Sequence, residues 1–205
     1  MTGIFSRAAA VAVSFLGLSA CMSEVATPTR NVLVATSGLQ ATATPASYSP
    51  TADHSMQVYL TGYSFWDNTP PGSARIAKPV VHRQAGGTGT YRDPITVAVG
   101  HSKSGGRSRM DFPAGTRFYF PNLQKYGIVE DLCGDGPRPQ NGPCHTGYRG
   151  LAWLDIYVGG RSSGPRAANR CMYAITGVQN VVMHPSPNYP VQHGEIATST
   201  CGNGK

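Results

Sequence analysis

The sequence predicts an all-β domain, and two observations support this fold class. Short runs rich in β-branched and aromatic residues recur between residues 56 and 184, separated by clusters of Gly, Pro, Asn and Asp. No stretch beyond about ten residues shows a convincing helical period of apolar positions. Many short strands joined by glycine-rich turns are typical of a β-sandwich or a closed barrel.

The individual strands are predicted from alternating or β-rich runs bounded by turn residues. The predicted strands are 56–64, 95–100, 116–121, 126–131, 152–158, 171–176 and 179–184. Two long loops, 66–94 and 132–150, remain between them. Loops of this length in a compact domain are usually functional or disordered, and their aromatic and glycine content favours ordered binding loops.

The first twenty residues are predicted to be a secretory signal peptide rather than part of the fold. Arg7 supplies the positive charge, and the apolar stretch 8–18 is too short to cross a bilayer. The segment Leu18-Ser19-Ala20-Cys21 resembles a bacterial lipobox, which implies cleavage before Cys21 and lipidation of its thiol. The alternative is an ordinary signal peptide followed by a chance cysteine.

Residues 21–55 are predicted to be a flexible tether, because they are rich in Ala, Thr, Ser and Pro and hold almost no aromatic residues. Residues 56–205 then form one domain, large enough for a hydrophobic core. Met22, rather than Asp, after the lipidated cysteine favours an outer-membrane anchor facing the periplasm in a Gram-negative host. Secretion without an anchor is the alternative location.

The net charge is modest. Loss of Arg7 with the signal leaves 16 Lys and Arg residues against 10 Asp and Glu residues, and only 13% of all residues are charged. Lys103, Arg107 and Arg109 cluster with Gly and Ser in one predicted loop. Such a loop can meet nucleic acid, anionic lipid or anionic glycan, or can simply be solvated. Export argues against nucleic acid as a partner.

The four cysteines after Cys21 predict disulfides, because an exported chain meets an oxidising compartment. Four cysteines allow three connectivities. We favour the two pairings that close short loops rich in Gly, Pro and Asn, which are Cys133–Cys144 and Cys171–Cys201. A metal site is the alternative, but the cysteines lack the paired Cys-x-x-Cys spacing of zinc sites.

Two aspartates lie inside predicted strands. Asp131 stands in the segment Val129-Glu130-Asp131-Leu132-Cys133, and Asp155 is flanked at period two by Trp153 and Tyr157. Burying a carboxylate among apolar side chains is costly unless the carboxylate has a partner. We therefore expect a role in acid/base chemistry or sugar binding, with the capping of barrel turns through backbone N–H groups as the alternative.

Four segments carry a resemblance to a known family. Residues 113–119 (Pro-Ala-Gly-Thr-Arg-Phe-Tyr), followed by Glu130-Asp131, Gly150 and Leu154-Asp155-Ile156-Tyr157, resemble the motif of 3D domains, which are named for three aspartates. That family includes the catalytic domain of membrane-bound lytic transglycosylase A, and expansins, rare lipoprotein A and family 45 endoglucanases share its barrel. The resemblance covers about 59–160 and implies a six-stranded double-psi β-barrel with long loops.

The resemblance also implies roles for the two aspartates. Asp155 matches the aspartate that acts as acid/base in the lytic enzymes, and Asp131 matches its neighbour across the groove. The first of the three aspartates is missing, because Val99-Gly100-His101 stands at the matching position. Asp93 and Asp111 flank that place in the sequence without occupying it. A site with two aspartates is therefore expected.

Flat aromatic rings suit the C–H faces of sugars, and the chain places several near the motif. The predicted substrate-binding residues are Trp66, Tyr63, Asp67, Tyr91, Trp153 and Tyr157. The alternative for the aromatic residues is the barrel core, which about half of them are expected to join. His101 and His145 are predicted in loops near the site, as a base, a metal ligand or, with greater weight, solvated histidines.

Taken together, these features predict an exported, lipid-anchored protein of the cell envelope that cleaves a cell-wall glycan, with Asp155 as acid and Asp131 as its partner. Peptidoglycan or another β-linked glycan is the expected partner, and hydrolysis and lytic transglycosylation both remain open. The alternative is a non-hydrolytic, expansin-like binding module. A structural envelope lipoprotein with a degenerate barrel is a third reading. A monomer without cofactor or metal is expected.

Overall fold

The computed structural model describes residues 53–202. The predicted signal peptide, the lipidated Cys21 and the tether up to residue 52 lie outside the described residues. The first strand begins at His54, two residues before the predicted start of the domain.

Six strands close a barrel, as the sequence predicts for an all-β domain. Its members run in the order β1-β7-β2-β6-β5-β8 around the barrel, and β3 and β4 form a separate hairpin. The pairs β1–β7 and β2–β6 are parallel, and the other four neighbouring pairs are antiparallel. The strands are β1 His54–Tyr63, β2 Ile95–Val99, β3 His101–Ser104, β4 Arg107–Met110, β5 Arg117–Phe120, β6 Lys125–Leu132, β7 Ala152–Tyr157 and β8 Gly177–Met183.

The barrel core follows from the side-chain alternation of its strands. In β1, Val58 and Leu60 are fully buried, and in β7 Leu154 and Ile156 occupy the equivalent places. Strand β2 is buried at every position, as expected for a β-branched run with neighbours on both sides. The intervening positions of β1 and β7 are left partly exposed, which makes them available for a surface site.

The prediction of a strand at 171–176 is wrong, because most of this segment belongs to a helix. Helix α2 spans Pro165–Ile175, with a proline in its first turn. Its buried residues, Ala168, Cys171 and Ile175, are three and four positions apart and form one helical stripe. Only three buried residues form this stripe, so the helical period is weak in the sequence. The apolar C-terminal end of the helix therefore resembles a short strand.

A second correction concerns the basic segment. Lys103, Arg107 and Arg109 lie on the hairpin of β3 and β4 instead of in a loop. Gly105 and Gly106 form the turn, both at positive φ, which suits a two-residue hairpin connection. The strands lack alternating apolar residues because most of their side chains are exposed, so the sequence carries no strand signal here.

Both predicted disulfides are present. Cys133–Cys144 joins the end of β6 to the short helix α1, Pro143–Thr146, and Cys171–Cys201 joins α2 to the C-terminal segment. That segment includes a single π-helical turn, Ile196–Thr200. The disulfides therefore fix two of the less regular parts of the domain against the barrel.

The buried Lys125 also holds the C-terminal segment. Its Nζ donates hydrogen bonds to the carbonyl oxygens of Gln192 and Gly194, the latter at 2.6 Å, and to Oγ of Ser199 at 2.9 Å. Burial lowers the pKa of Lys125 to about 8. Over residues 53–202, no helix combines the length and the apolar character that crossing a membrane requires.

Candidate functional site

A cleft of about 800 Å³ opens on the barrel and contains both predicted catalytic aspartates. Residues of β1, β2, β6 and β7 line it, together with segments 67–77 and 133–144 of the two long loops. Its lining carries four carboxylates, which are Asp67, Asp131, Asp135 and Asp155. We call this site the acidic cleft.

Strand register explains why Asp131 and Asp155 meet there. Ala98 of β2 pairs with Asp131 on one side and with Asp155 on the other. Asp155 in turn pairs with Thr61 of β1. The four residues therefore form one row across four neighbouring strands, and the Cα atoms of the two aspartates are about 10 Å apart, two strand spacings.

A β-bulge sets the position of Asp131 in this row. Val97 pairs with Val129 and Ala98 with Asp131, so Glu130 is the extra residue of β6. Thr96 contacts Glu130 through its hydroxyl at 3.3 Å, and Thr96 lies on the same face of β2 as Ala98. The bulge thus brings two consecutive carboxylates to one face, which a regular strand would not do.

Asp155 is partly buried and accepts one side-chain hydrogen bond, from Thr61 Oγ1 at 2.7 Å. Trp153 Nε1 donates to the same hydroxyl oxygen at 2.8 Å, so the hydroxyl proton of Thr61 is directed at the carboxylate. Burial raises the pKa of Asp155 to about 7, against the opposing effect of the Thr61 hydrogen bond, and the charges of Asp67 and Asp131 add to the rise. Asp155 can therefore hold a proton near neutral pH.

Asp131 has a different environment. It is buried and accepts three hydrogen bonds, from the hydroxyl of Tyr63 at 3.1 Å and from the backbone N–H groups of Ala77 and Leu132, both at 2.9 Å. Burial raises the pKa of Asp131, while the backbone hydrogen bonds oppose that rise. Donors to a carboxylate favour its ionised form, so Asp131 is better suited than Asp155 to remain charged.

Glu130, next to Asp131, holds residues 80–82, which follow the cleft-lining residues 75–77 in the chain. Its fully buried carboxylate accepts hydrogen bonds from the backbone N–H groups of Val80, Val81 and His82 and bonds with His82 Nδ1 at 2.7 Å. The other ring nitrogen, Nε2, lies 2.8 Å from Asp93 Oδ1. With Asp131 holding Ala77, the segment 77–82 is docked onto β6 by two adjacent carboxylates.

This arrangement favours a charged imidazole. Burial lowers the pKa of His82, but the hydrogen bonds with Asp93 and Glu130 outweigh burial and raise it. The pKa of Glu130 is lowered despite burial, through its bonds with His82 and Val81. The three side chains therefore form an ionic chain that runs from the loop into the barrel.

The predicted sugar-binding residues divide into two groups. Tyr63, Asp67 and Trp153 line the acidic cleft. Tyr63 also stacks edge-on against Tyr157, with ring centroids 5.2 Å apart, and Asp67 accepts hydrogen bonds from the backbone and hydroxyl of Ser64. These contacts hold the cleft side chains in fixed positions.

The other three do not line the acidic cleft. Tyr157 is buried in the core. Trp66 is 38% exposed, with its indole N–H bonded to the carbonyl of Gly160 at 2.8 Å. Tyr91 packs against Tyr126 in a separate aromatic cluster and lies under the guanidinium of Arg117. The sequence could not separate these rings, because the burial of Tyr157 and the packing of Trp66 and Tyr91 depend on tertiary contacts.

A smaller pocket of about 310 Å³ adjoins the acidic cleft, and Trp153 and Cys144 line both. We call it the side pocket. His145 and Asp111 lie in its wall, with His145 Nδ1 2.6 Å from Asp111 Oδ1. His101, in contrast, is buried on β3, and burial lowers its pKa.

Two residues of the site, Thr61 and Glu130, carry no role in the sequence-based prediction. Thr61 is two positions from Tyr63 in β1, and this period-two relation to a predicted site residue is the signal that could have found it. Glu130 has no such signal, because a bulge is not visible in the sequence. Within residues 53–202, no group of three or more His, Cys, Asp or Glu side chains is arranged to hold a metal ion.

Comparison with known proteins places the domain in a family. Residues 55–202 match the family model described as DDB_G0273701 N-terminal domain. The uncharacterized protein DDB_G0273701/DDB_G0273221 of Dictyostelium discoideum is 33% identical over 146 residues, which are 70% of this chain and 57% of that protein. The chain thus spans little more than half the length of this relative, and no solved structure matches it. By the match over its whole barrel, the chain belongs to the DDB_G0273701 N-terminal domain family.

Proposed function

We propose that the acidic cleft cleaves glycosidic bonds of a cell-wall glycan. The observation that carries this proposal is the row formed by Asp131, Ala98 and Asp155, which brings two carboxyl groups to one cleft. One of them accepts a single hydrogen bond and the other accepts three. Glycoside cleavage uses two such carboxyl groups, one protonated and one ionised. A pair with divergent environments supports a division of roles.

Asp155 is the acid in this mechanism. With its pKa raised to about 7, it holds the proton that the leaving oxygen of the glycosidic bond needs. The single donor, Thr61, holds the carboxyl group in position without stabilising its charge as strongly as several donors would. Trp153, next to Asp155 in the cleft lining, offers a flat ring for the face of the sugar.

Asp131 is the partner. Its three donors favour the carboxylate, which can activate a water molecule or stabilise positive charge at the sugar carbon. The intervening strand keeps the two aspartates about 10 Å apart at Cα, which leaves room for water between them. Hydrolysis, in which Asp131 activates a water molecule, is the first outcome to test. Lytic transglycosylation, with the sugar's own hydroxyl as nucleophile, is the second outcome to test.

The resemblance to 3D-type double-psi barrels supports the same proposal. The two parallel strand pairs, β1–β7 and β2–β6, are compatible with that topology. Asp111, which flanks the position of the missing first aspartate in the sequence, lies near the end of β2 in the side pocket, and its backbone N–H bonds to the carbonyl of Gly100 at 3.0 Å. Asp111 thus brings a carboxyl group back to the end of β2 from a later part of the chain.

A non-hydrolytic binding module is the competing function, and one observation favours it. Both aspartates are already bonded to protein donors, Asp155 to Thr61 and Asp131 to Tyr63, Ala77 and Leu132. Carboxylates fixed in this way can serve as static contacts for sugar hydroxyls. In that case Asp155 would bind glycan without turning it over.

We also propose a location in the cell envelope. The two disulfides support an oxidising compartment, and lipidation at Cys21 would hold the domain at a membrane. The outer membrane facing the periplasm is the proposed site, with secretion as the alternative.

Product analysis by mass spectrometry tests the proposed chemistry. The mature protein is incubated with peptidoglycan and with a panel of β-linked glucans, beside Asp155→Asn. As a matched control, Asp53→Asn changes an exposed aspartate whose partners are Ser186 and Tyr189. Fragments from the native protein and the control, but not from Asp155→Asn, would support a glycan-cleaving enzyme, and their end groups would distinguish hydrolysis from transglycosylation. Binding without fragments would support the module.

A further inference from the structure

We propose that the side pocket is a second sugar subsite, in which His145 contacts the part of a glycan chain that extends beyond the acidic cleft. This inference rests on the proposed function of the acidic cleft. The two sites share Trp153 and Cys144 in their linings, so they adjoin at these two residues. A linear glycan crossing Trp153 would enter both.

The chemistry of the side pocket suits a sugar hydroxyl. His145 and Asp111 are 31% and 26% exposed in their side chains, so a ligand can reach them. The bond between Asp111 and His145 Nδ1 engages one ring nitrogen and fixes the orientation of the ring. Nε2 is then the ring atom left to a ligand, as donor or acceptor.

The pair is positioned by a tightly packed backbone. A Cβ atom at Gly100 would lie 2.3 Å from Asp111 Oδ2 and 2.5 Å from the backbone N of His145, so only glycine allows this approach. The disulfide Cys133–Cys144 holds the residue before His145 to the end of β6. His145 is thereby tied to the same strand that carries Asp131.

Trp153 is supported from behind by other rings. Tyr59 meets it edge-on, with centroids 4.6 Å apart, and Tyr148 stacks on Tyr59 at 4.2 Å. A ring held in this way gives a fixed platform at the junction of the two sites, and stacking against it costs little conformational entropy. The rigid ring and the oriented imidazole together would bind a further sugar unit. A longer glycan would then bind more tightly than a short one that fills the acidic cleft alone.

Binding of oligosaccharides of different length tests the proposal. Titration calorimetry is run with dimers and hexamers of β-1,4-linked N-acetylglucosamine and of β-1,4-linked glucose, in an Asp155→Asn background that prevents turnover. The readout is the ratio of hexamer affinity to dimer affinity. His145→Ala is expected to lower this ratio about tenfold, the loss of one hydrogen bond to a ligand. His193→Ala, at an exposed histidine outside both sites, is the control.

The outcomes are separable. A ratio that falls in His145→Ala and in His145→Gln, but not in His193→Ala, supports the subsite. An unchanged ratio in folded His145 variants overturns it and leaves the proposed function standing. If neither series binds to the parent protein, the proposed glycan substrate fails and the subsite fails with it. Thermal unfolding of each variant establishes that it is folded, and His145→Gln keeps a polar side chain in case the alanine variant does not fold.

Discussion

Thr61 donates its hydroxyl proton to Asp155 across the parallel β1–β7 pair, at 2.7 Å. The same oxygen accepts a hydrogen bond from the indole N–H of Trp153, so one neutral hydroxyl is bonded both to the indole ring and to the carboxyl group. The hydrogen bond lowers the pKa of Asp155 against the stronger effect of burial. The uncharged side chain of Thr61 therefore helps to set the pH at which Asp155 loses its proton.

Replacing Thr61 by Val is expected to raise the pKa of Asp155 further, because it removes the hydrogen bond that favours the carboxylate. Valine has nearly the same shape, so the barrel should stay folded. If Asp155 is the acid, the alkaline limb of the pH–rate profile shifts from about pH 7 to higher pH. A limb that stays in place or moves to lower pH would contradict the role of Thr61.

Asp155→Asn is expected to change stability with a definite pH dependence. Because the folded pKa of about 7 lies above that of the unfolded chain, Asp155 contributes stability at low pH that is lost as pH rises through about 7. The variant lacks this loss, so its stability relative to the native protein rises between pH 4 and pH 8, by roughly 4 kcal/mol for a shift of about three pKa units. Urea unfolding across this range measures the difference. A difference that does not vary with pH would mean that Asp155 is ionised throughout.

Glu130→Gln is expected to destabilise the domain by about 3 kcal/mol, because it removes the fully buried one of the two carboxylates that bond with the partly buried His82 and leaves the ring with the more exposed Asp93. The amide also presents donors where the carboxylate accepts from the backbone of Val80 and Val81. Asp53→Asn, at an exposed carboxylate, is the control and should cost less than about 1 kcal/mol. If the two substitutions lowered the free energy of unfolding equally, the ionic chain through Glu130 would contribute no more stability than an exposed carboxylate.

The stability that the chain of Asp93, His82 and Glu130 adds should be lost both as pH rises and as pH falls, because the histidine loses its charge at high pH and the carboxylates lose theirs at low pH. The pKa of His82 is raised in the folded state, so the stability that this residue adds is present below the unfolded value of about 6.5 and is lost as pH rises through the folded value. The lowered pKa values of Glu130 and Asp93 remove stability as pH falls below their unfolded values, about 4. The cost of His82→Gln should thus be greater near pH 5.5 than near pH 8.5. Comparable costs at both pH values would contradict an ionic chain.

Lys125→Met is expected to loosen the C-terminal segment, since methionine fills the space of the stem but donates no hydrogen bond. Amide hydrogen exchange at residues 192–199 should become about tenfold faster. The exposed Lys78 provides the control, as Lys78→Met removes a charge without a buried contact. Equally faster exchange in both variants would show that the loss of charge, and not the loss of the Lys125 hydrogen bonds, loosens the segment.

The barrel and its main strands could be predicted because they follow period-two patterns with glycine-rich turns. The row of Asp131 and Asp155 could be predicted only in part, since the two residues stand in strand-like segments but their register depends on Ala98 and on the bulge at Glu130. A bulge has no local signature, as it depends on how a strand pairs with its neighbour.

The misassigned segments have a different cause. Helix α2 buries only a narrow stripe of Ala168, Cys171 and Ile175, and the β3–β4 hairpin buries little of its surface, so apolar periodicity identifies neither. Asp111 and His145 are 34 residues apart and meet through the packing of the chain at Gly100. Contacts of that kind depend on the tertiary structure rather than on sequence spacing.

The methyl group of Ala98 limits how the acidic cleft can change. It is the side chain that stands between Asp131 and Asp155 in the row, so its size sets the free volume between the two carboxyl groups. A larger residue here would occupy the space between the two carboxyl groups and leave both aspartates in place. If the acidic cleft cleaves glycans as proposed, position 98 is therefore a point at which one substitution could abolish cleavage while Asp131 and Asp155 remain intact.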